Sequence, residues 1–182
     1  MLALPRAMRT LVHLRHAERE AGGVHLTERG VRLAAEVGRR LPRFDRVLTS
    51  PKPRAVETAE AMGYRVDGEL FALGSLPEEL GRQLERADPR SFADYVRLVE
   101  EVVELREHAH VLAGVLEDEL VHVPEGARLL VVSHGGVVEL GAIGAVGRTA
   151  APWGPAVGHL EGVELGHDSG SWSRASVIRP VR

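Results

Sequence analysis

The sequence predicts an α/β fold, and three observations carry that prediction. Apolar, β-favouring runs alternate along the chain with segments of helical periodicity. Leu129-Leu130-Val131-Val132 is a continuous apolar run, the pattern of a strand buried on both faces of a parallel sheet. Thr10 to Leu14 is a second such run. Both stop abruptly in polar residues, Arg15-His16-Ala17-Glu18 after the first and Ser133-His134-Gly135-Gly136 after the other.

The elements follow in order. Residues 1–9 read as a loose arm, with Pro5 opposing regular structure. Thr10–Leu14 is the first strand, and Arg19 to His25 a polar loop holding a Gly-Gly pair. Thr27 is an N-cap for a helix whose apolar positions are Val31, Leu33, Ala34, Val37 and Leu41, ended by Pro42. Asp45–Thr49, with Val47-Leu48 at its centre, is a short second strand. Ser50-Pro51-Lys52-Pro53 turns into a helix carrying Arg54, Ala55, Thr58, Ala59 and Met62. Val66 to Leu73 reads as a short strand or an extended loop, and Ser75 to Gly81 as an acidic, punctuated segment. Asp88 as cap and Pro89 as opener predict one long helix over Ser91–Leu120, with Gly114 the place for a break. Pro124-Glu125-Gly126 is a turn before the strand Leu129–Ser133, and a helix of small apolar residues runs on to about Gly147. Two further strands are expected near His159–Leu165 and Trp172–Ile178.

Composition narrows the function. The 182 residues are 44% hydrophobic and 27% charged, which reads as one soluble domain spanning 1–182, long enough to bury a core. A net charge of −3 leaves no electrostatic footprint for nucleic acid, and no basic run suggests a membrane surface. The sequence has no cysteine, which excludes disulfides, thiolate chemistry and cysteine-held zinc. The first residues hold no apolar stretch of signal-peptide or membrane-span length, so the expected location is cytoplasmic. His108 and His110, two apart on a predicted helix, point to different faces and make a poor metal pair. No metal site and no cofactor are expected.

Chemistry concentrates where strands end. Ligands of open α/β sheets bind beyond the carboxyl ends of the strands. Three such exits carry Arg15-His16, Ser50 with Arg54 in the first turn of the next helix, and His134-Gly135-Gly136. Parallel strands would gather them at one rim. Two guanidiniums, two imidazoles and a helix N-terminus whose glycines allow close backbone approach make a receptor for a tetrahedral dianion such as phosphate.

At this point the residues resemble a known family, the histidine phosphatase superfamily with its phosphoglycerate-mutase-like fold. Leu14-Arg15-His16-Ala17-Glu18 is similar to its Arg-His-Gly nucleophile motif, with alanine for the usual glycine. Leu26-Thr27-Glu28-Arg29-Gly30 resembles the Leu-Thr-x-x-Gly helix start. Ser50 with Arg54-Ala55 and Thr58-Ala59 resembles Ser-x-x-x-Arg-Ala-x-x-Thr-Ala, and Ser133-His134-Gly135-Gly136 the second histidine motif.

The resemblance implies a three-layer α/β/α sandwich around a mostly parallel sheet, with one antiparallel strand in the C-terminal part. It implies His16 as nucleophile and phosphohistidine carrier, and Arg15, Arg54 and His134, with Gly135 beside them, as the phosphoryl site. It also implies a carboxylic acid that protonates the leaving oxygen. Leu76-Pro77-Glu78-Glu79-Leu80-Gly81 is similar to the family's Leu-x-Glu stretch, which favours Glu78 and keeps Glu79 as an alternative. The function expected is a metal-independent phosphatase acting on a phosphorylated small molecule, with a phosphoprotein as a further substrate class. A phosphoglycerate mutase and a phosphate-binding module without turnover are the alternatives.

Overall fold

Six strands form one mixed sheet in the computed structural model of the protein, which describes residues 7–180. They are β1 (Arg9–Arg15), β2 (Arg46–Thr49), β3 (Gly68–Glu69), β4 (Arg128–Ser133), β5 (Gly162–Asp168) and β6 (Ser171–Ile178), in the order β3-β2-β4-β1-β5-β6. The first four pair in parallel, and β5 runs antiparallel between β1 and β6. The single reversed strand thus lies in the C-terminal part, as the family resemblance implied. Of the expected N-terminal arm, residues 1–6 lie outside the described residues, and Arg9 already belongs to β1.

Helices α1 (Glu28–Gly38), α2 (Pro53–Ala61), α3 (Glu78–Ala87), α4 (Phe92–Glu101), α5 (Val103–Val121) and α6 (Val137–Val146) complete the layers. Successive strand side chains point to opposite faces, so each buried strand feeds two cores. Val12, Leu14, Val47, Leu130 and Val132 pack with Ala34, Val37, Ala55 and Ala59 of α1 and α2. Leu11, Leu48, Leu129, Val131, Val163 and Leu165 pack on the other face with Tyr95, Leu112, Leu116 and Leu140 of α4, α5 and α6. This is the helix–sheet–helix sandwich expected. Among the described residues no helix is long and apolar enough to cross a membrane.

Three local expectations are corrected. The segment read as acidic and punctuated is α3, which starts directly after Pro77 with Glu78 and Glu79 in its first turn. Leu80 and Leu84, four apart, give it one buried stripe. Asp88 caps the end of α3 instead of opening a helix, with φ at 46°. The opener is Ser91, whose hydroxyl accepts from Asp94 N while the Asp94 carboxylate accepts from Ser91 N, a reciprocal cap for α4. The long helix breaks at Val102, in extended conformation, and not at Gly114, which sits inside α5. The break lets α4 follow the short 3₁₀ segment Gly147–Trp153 while α5 turns to lie along α6.

Candidate active site

Strand register assembles the site. Arg15 lies opposite Ser133 across β1 and β4, and Val132 opposite Thr49 across β4 and β2. Each strand ends one residue before its chemistry, so His16, Ser50 and His134 emerge side by side. Pro53 at the start of α2 fixes the first turn and brings Arg54 over the same rim. Gly136, at φ 82°, allows the sharp entry into α6. Gly135 leaves room for Arg15: a Cβ there would lie 3.2 Å from Cζ of its guanidinium and would press it out of place.

His16 is only 5% exposed, and its two ring nitrogens have opposed partners. Arg54 Nε, which can only donate, points at His16 Nε2 at 3.1 Å. Nε2 must therefore present its lone pair, and the ring proton sits on Nδ1, which donates to the Ala17 carbonyl at 2.7 Å. Burial pushes the pKa of His16 down to about 4; the Ala17 bond opposes this, and Arg54, Arg15 and His159 add to it. Near neutral pH the ring is a neutral imidazole with a lone pair facing a guanidinium.

His134 lies with its ring centroid 5.3 Å from that of His16, and its Nε2 shares a hydrogen bond of 2.7 Å with the Ser50 hydroxyl. Its pKa is down to about 3, from burial first and the charge of Arg54 second. A bound dianion would act in the opposite sense and favour the protonated ring. Arg15 Nη1 donates to the Val157 carbonyl at 2.9 Å, which holds the guanidinium beside Gly135.

These groups line a cavity of about 760 Å³ that is open to solvent, together with Arg19, Glu20, Asp88, Arg90, Tyr95, Glu139 and His159. A second chamber of about 510 Å³ adjoins it. The two share Arg54, Asp88, Pro89, Tyr95, His134, Gly135 and Gly136, while Lys52, Leu76, Leu84 and Glu85 line only the second. Among the described residues no cluster of three or more histidine or acidic side chains could hold a metal ion.

The structure brings together Arg15, His16, Arg54, His134 and Gly135, and does not bring Glu78 to them. Glu78 stands at the outer end of α3 with its side chain 83% exposed and ion-paired to Arg82 at 2.7 Å. Glu79 pairs with Arg82 and Arg86 on the same face. Neither borders the cavity. His25, in the loop after His16, is bound to Glu57.

Three residues at the site carried no signal in the sequence reading. His159, which the sequence marks only as the start of an expected strand, has its ring centroid 5.6 Å from that of His16. It gets there because β5 runs antiparallel, so the start of β5 meets the carboxyl ends of the others, and Arg15 N donates to Glu161 O at 2.9 Å. The expected reversal of one C-terminal strand was the available clue. Glu139 is 1% exposed and accepts from Gly136 N at 2.7 Å and Val157 N at 2.9 Å, tying two walls of the cavity together. Burial raises its pKa, against these bonds and Arg15. Asp88 reaches the cavity only because α3 ends where it does.

Comparisons with known proteins agree with this fold. The chain is similar to a phosphoglycerate mutase from Bacillus anthracis, at 16% identity and a TM-score of 0.66, with 93% of this chain and 92% of that one covered. It is similar to a phosphoserine phosphatase from Entamoeba histolytica solved with 3-phosphoglyceric acid, at 16% identity, TM-score 0.65, and 91% and 98% coverage. A mycobacterial glucosyl-3-phosphoglycerate phosphatase gives 20% identity, TM-score 0.54, and 93% and 97% coverage. At such identities these likenesses show the fold. A sequence comparison with curated proteins returned no match. The model of the histidine phosphatase superfamily (branch 1), however, matches residues 11–176, which include Arg15, His16, Arg54 and His134. With nearly the whole chain covered, the protein belongs to the histidine phosphatase superfamily.

Proposed function

We propose that the protein is a phosphomonoesterase that acts on a phosphorylated small molecule through a phosphohistidine on His16, without a metal. The observation that carries this reading is the state of His16: neutral, with its proton on Nδ1 and its Nε2 lone pair facing the arginine clamp. That is a nucleophile held ready.

Arg15, Arg54 and His134 bind the phosphoryl oxygens, with Gly135 leaving room beside them, and stabilise charge on those oxygens in the transition state. The Nε2 lone pair attacks phosphorus in line, the bond to the ester oxygen breaks, and that oxygen takes up a proton. Water then attacks the phosphohistidine, the P–N bond breaks, and inorganic phosphate leaves with His16 restored. Two guanidiniums supply the positive charge that a metal ion would otherwise bring.

In-line displacement sends the leaving group away from His16, toward the chamber that His16 does not line. Of the carboxylates, Asp88, which also pairs with Arg90, is the one that borders both chambers; Glu85 lines only the second, Glu20 and Glu139 only the first, and the oxygens of Glu139 already accept backbone N–H groups. We therefore assign proton donation to Asp88 in place of Glu78. Hydrolysis, as against return of the phosphoryl group to a second substrate hydroxyl, is supported by the openness of the cavity to water.

The test is turnover of an aryl phosphate by the purified protein, with acid-quench trapping of phosphoenzyme. Phosphate release that survives EDTA, and a trapped phosphoenzyme that His16→Ala abolishes, are the expected results. Turnover lost to EDTA and restored by a divalent cation would overturn the metal-free mechanism. Unimpaired turnover by His16→Ala would overturn the covalent one.

A further inference from the structure

Thr58, on the inner face of α2, makes no contact with the space where a phosphoryl group would bind, yet its hydroxyl joins the partners of both nitrogens of His16. Its Oγ1 donates to the Arg54 carbonyl at 2.6 Å and accepts from Ala17 N at 2.9 Å. Arg54 supplies the N–H facing His16 Nε2, and Ala17 supplies the carbonyl that takes the proton of His16 Nδ1. The bonds close a ring: His16 to Ala17, Ala17 to Thr58, Thr58 to Arg54, and Arg54 back to His16. Thr58 both donates and accepts in that ring, and Thr58 and Ala17 are both 0% exposed, so water does not reach the hydroxyl to take its place.

We infer that Thr58 is a positioning residue that sets the tautomer of His16 by anchoring the backbone at Ala17, through the N–H that precedes the accepting carbonyl, relative to Arg54. The inference rests on the phosphohistidine reading for its consequence, but not for its physical content. An imidazole flanked by a donor on one side and an acceptor on the other has one compatible neutral tautomer, and that tautomer leaves Nε2 nucleophilic. If the N–H of Ala17 loses its anchor, the backbone at Ala17 can rotate and carry the following carbonyl away from Nδ1. The proton can then occupy Nε2 in part of the population, and that part cannot attack.

Thr58→Val keeps the shape and removes the hydroxyl, and Thr58→Ser keeps the hydroxyl and loses a methyl group. Long-range ¹⁵N–¹H correlation of the imidazole rings, assigned for His16 by loss of its signals in His16→Ala, reads the tautomer without substrate. Wild-type protein should show His16 protonated at Nδ1 alone. Thr58→Val should show nitrogen shifts averaged between the two tautomers, and its rate of phosphoenzyme formation should fall by about tenfold or more. A fully wrong tautomer, which costs on the order of 10⁴-fold in serine proteases, is the upper bound. Thr58→Ser should restore both.

A folded Thr58→Val with the wild-type ring signature overturns the inference, as does a folded Thr58→Ser that rescues neither measurement. Should Thr58→Val not fold, Thr58→Ala, which also lacks the hydroxyl and adds no bulk, decides in its place: averaged ring signals support the inference and the wild-type signature overturns it. Wild-type protein that forms no phosphoenzyme would sink the phosphatase reading instead, and leave the tautomer measurement to judge Thr58 alone.

Discussion

At the scale of single residues, the depressed pKa of His16 has a kinetic consequence. In the proposed mechanism the reactive form is the neutral ring, and its pKa of about 4 lies far below that of an ordinary histidine. The acid limb of kcat/KM should therefore fall near pH 4 and not near 6.5, and a pH–rate profile on a substrate whose own ionisation is known checks this. The proton donor is a second residue-scale question. Asp88→Asn should lower turnover of an alkyl phosphate by about 10²–10⁴-fold and that of an activated aryl phosphate by much less, with Glu78→Gln close to wild type on both. A leaving-group dependence in Glu78→Gln but not in Asp88→Asn would return the role to Glu78. Residues that follow a strand directly, His16 and His134, were legible in the sequence because strand ends fix their place. Asp88 was not, since its position depends on where α3 stops and on the left-handed turn that follows.

Elements were legible wherever an apolar period was clear, and lost where a tertiary partner decided. Nothing in Val102-Val103 marks a helix break, and the cause is that α4 and α5 pack against different neighbours. The partner of α5 is α6, and the two backbones come close at Gly144, where an added Cβ would lie 1.9 Å from the Ala109 carbonyl oxygen. Backbone cannot yield there as a flexible side chain could. Gly144→Ala should thus destabilise the protein by at least about 1–3 kcal/mol, even though alanine is the better helix former. Gly114→Ala, in the same helix pair but with open space at its Cβ position, should be neutral or stabilising. Urea denaturation of the two variants side by side separates packing from propensity.

For the molecule as a whole, three buried histidines make stability depend on pH. His13 is held down to about 3 by burial alone, His134 to about 3 and His16 to about 4. Above the unfolded value of about 6.5 all three are neutral in both states and contribute no pH dependence. Below it the unfolded chain takes up protons that the folded chain refuses, so stability falls with pH until the folded values are reached. Each such histidine accounts for up to about 1.4 kcal/mol per pH unit in that window. Urea midpoints between about pH 7 and about pH 4.5 should fall steeply, and His13→Asn, a change on the far side of the sheet from His16, should flatten that slope. The layer architecture behind this was legible from strand–helix alternation, but the burial of His13 was not. A histidine in an apolar strand reads alike on either face, and only the packing of α6 over β1 seals it.

The wall of the second chamber holds Lys52, the N-cap of α2 and the one lysine in the sequence. That makes the chamber chemically addressable. An acylating reagent selective for amines has a single side-chain target, exposed and placed where the departing half of a substrate would lie, with the α-amino group as an internal reference. Intact-mass kinetics of acylation should slow when a phosphonate carrying a bulky alkyl group is bound, and should be left unchanged by inorganic phosphate, which occupies the clamp alone. Equal protection by both would mean that the alkyl group lies elsewhere, on the Arg19 side of the site. A fluorophore installed by the same reaction would turn the protein into a reporter of its own occupancy.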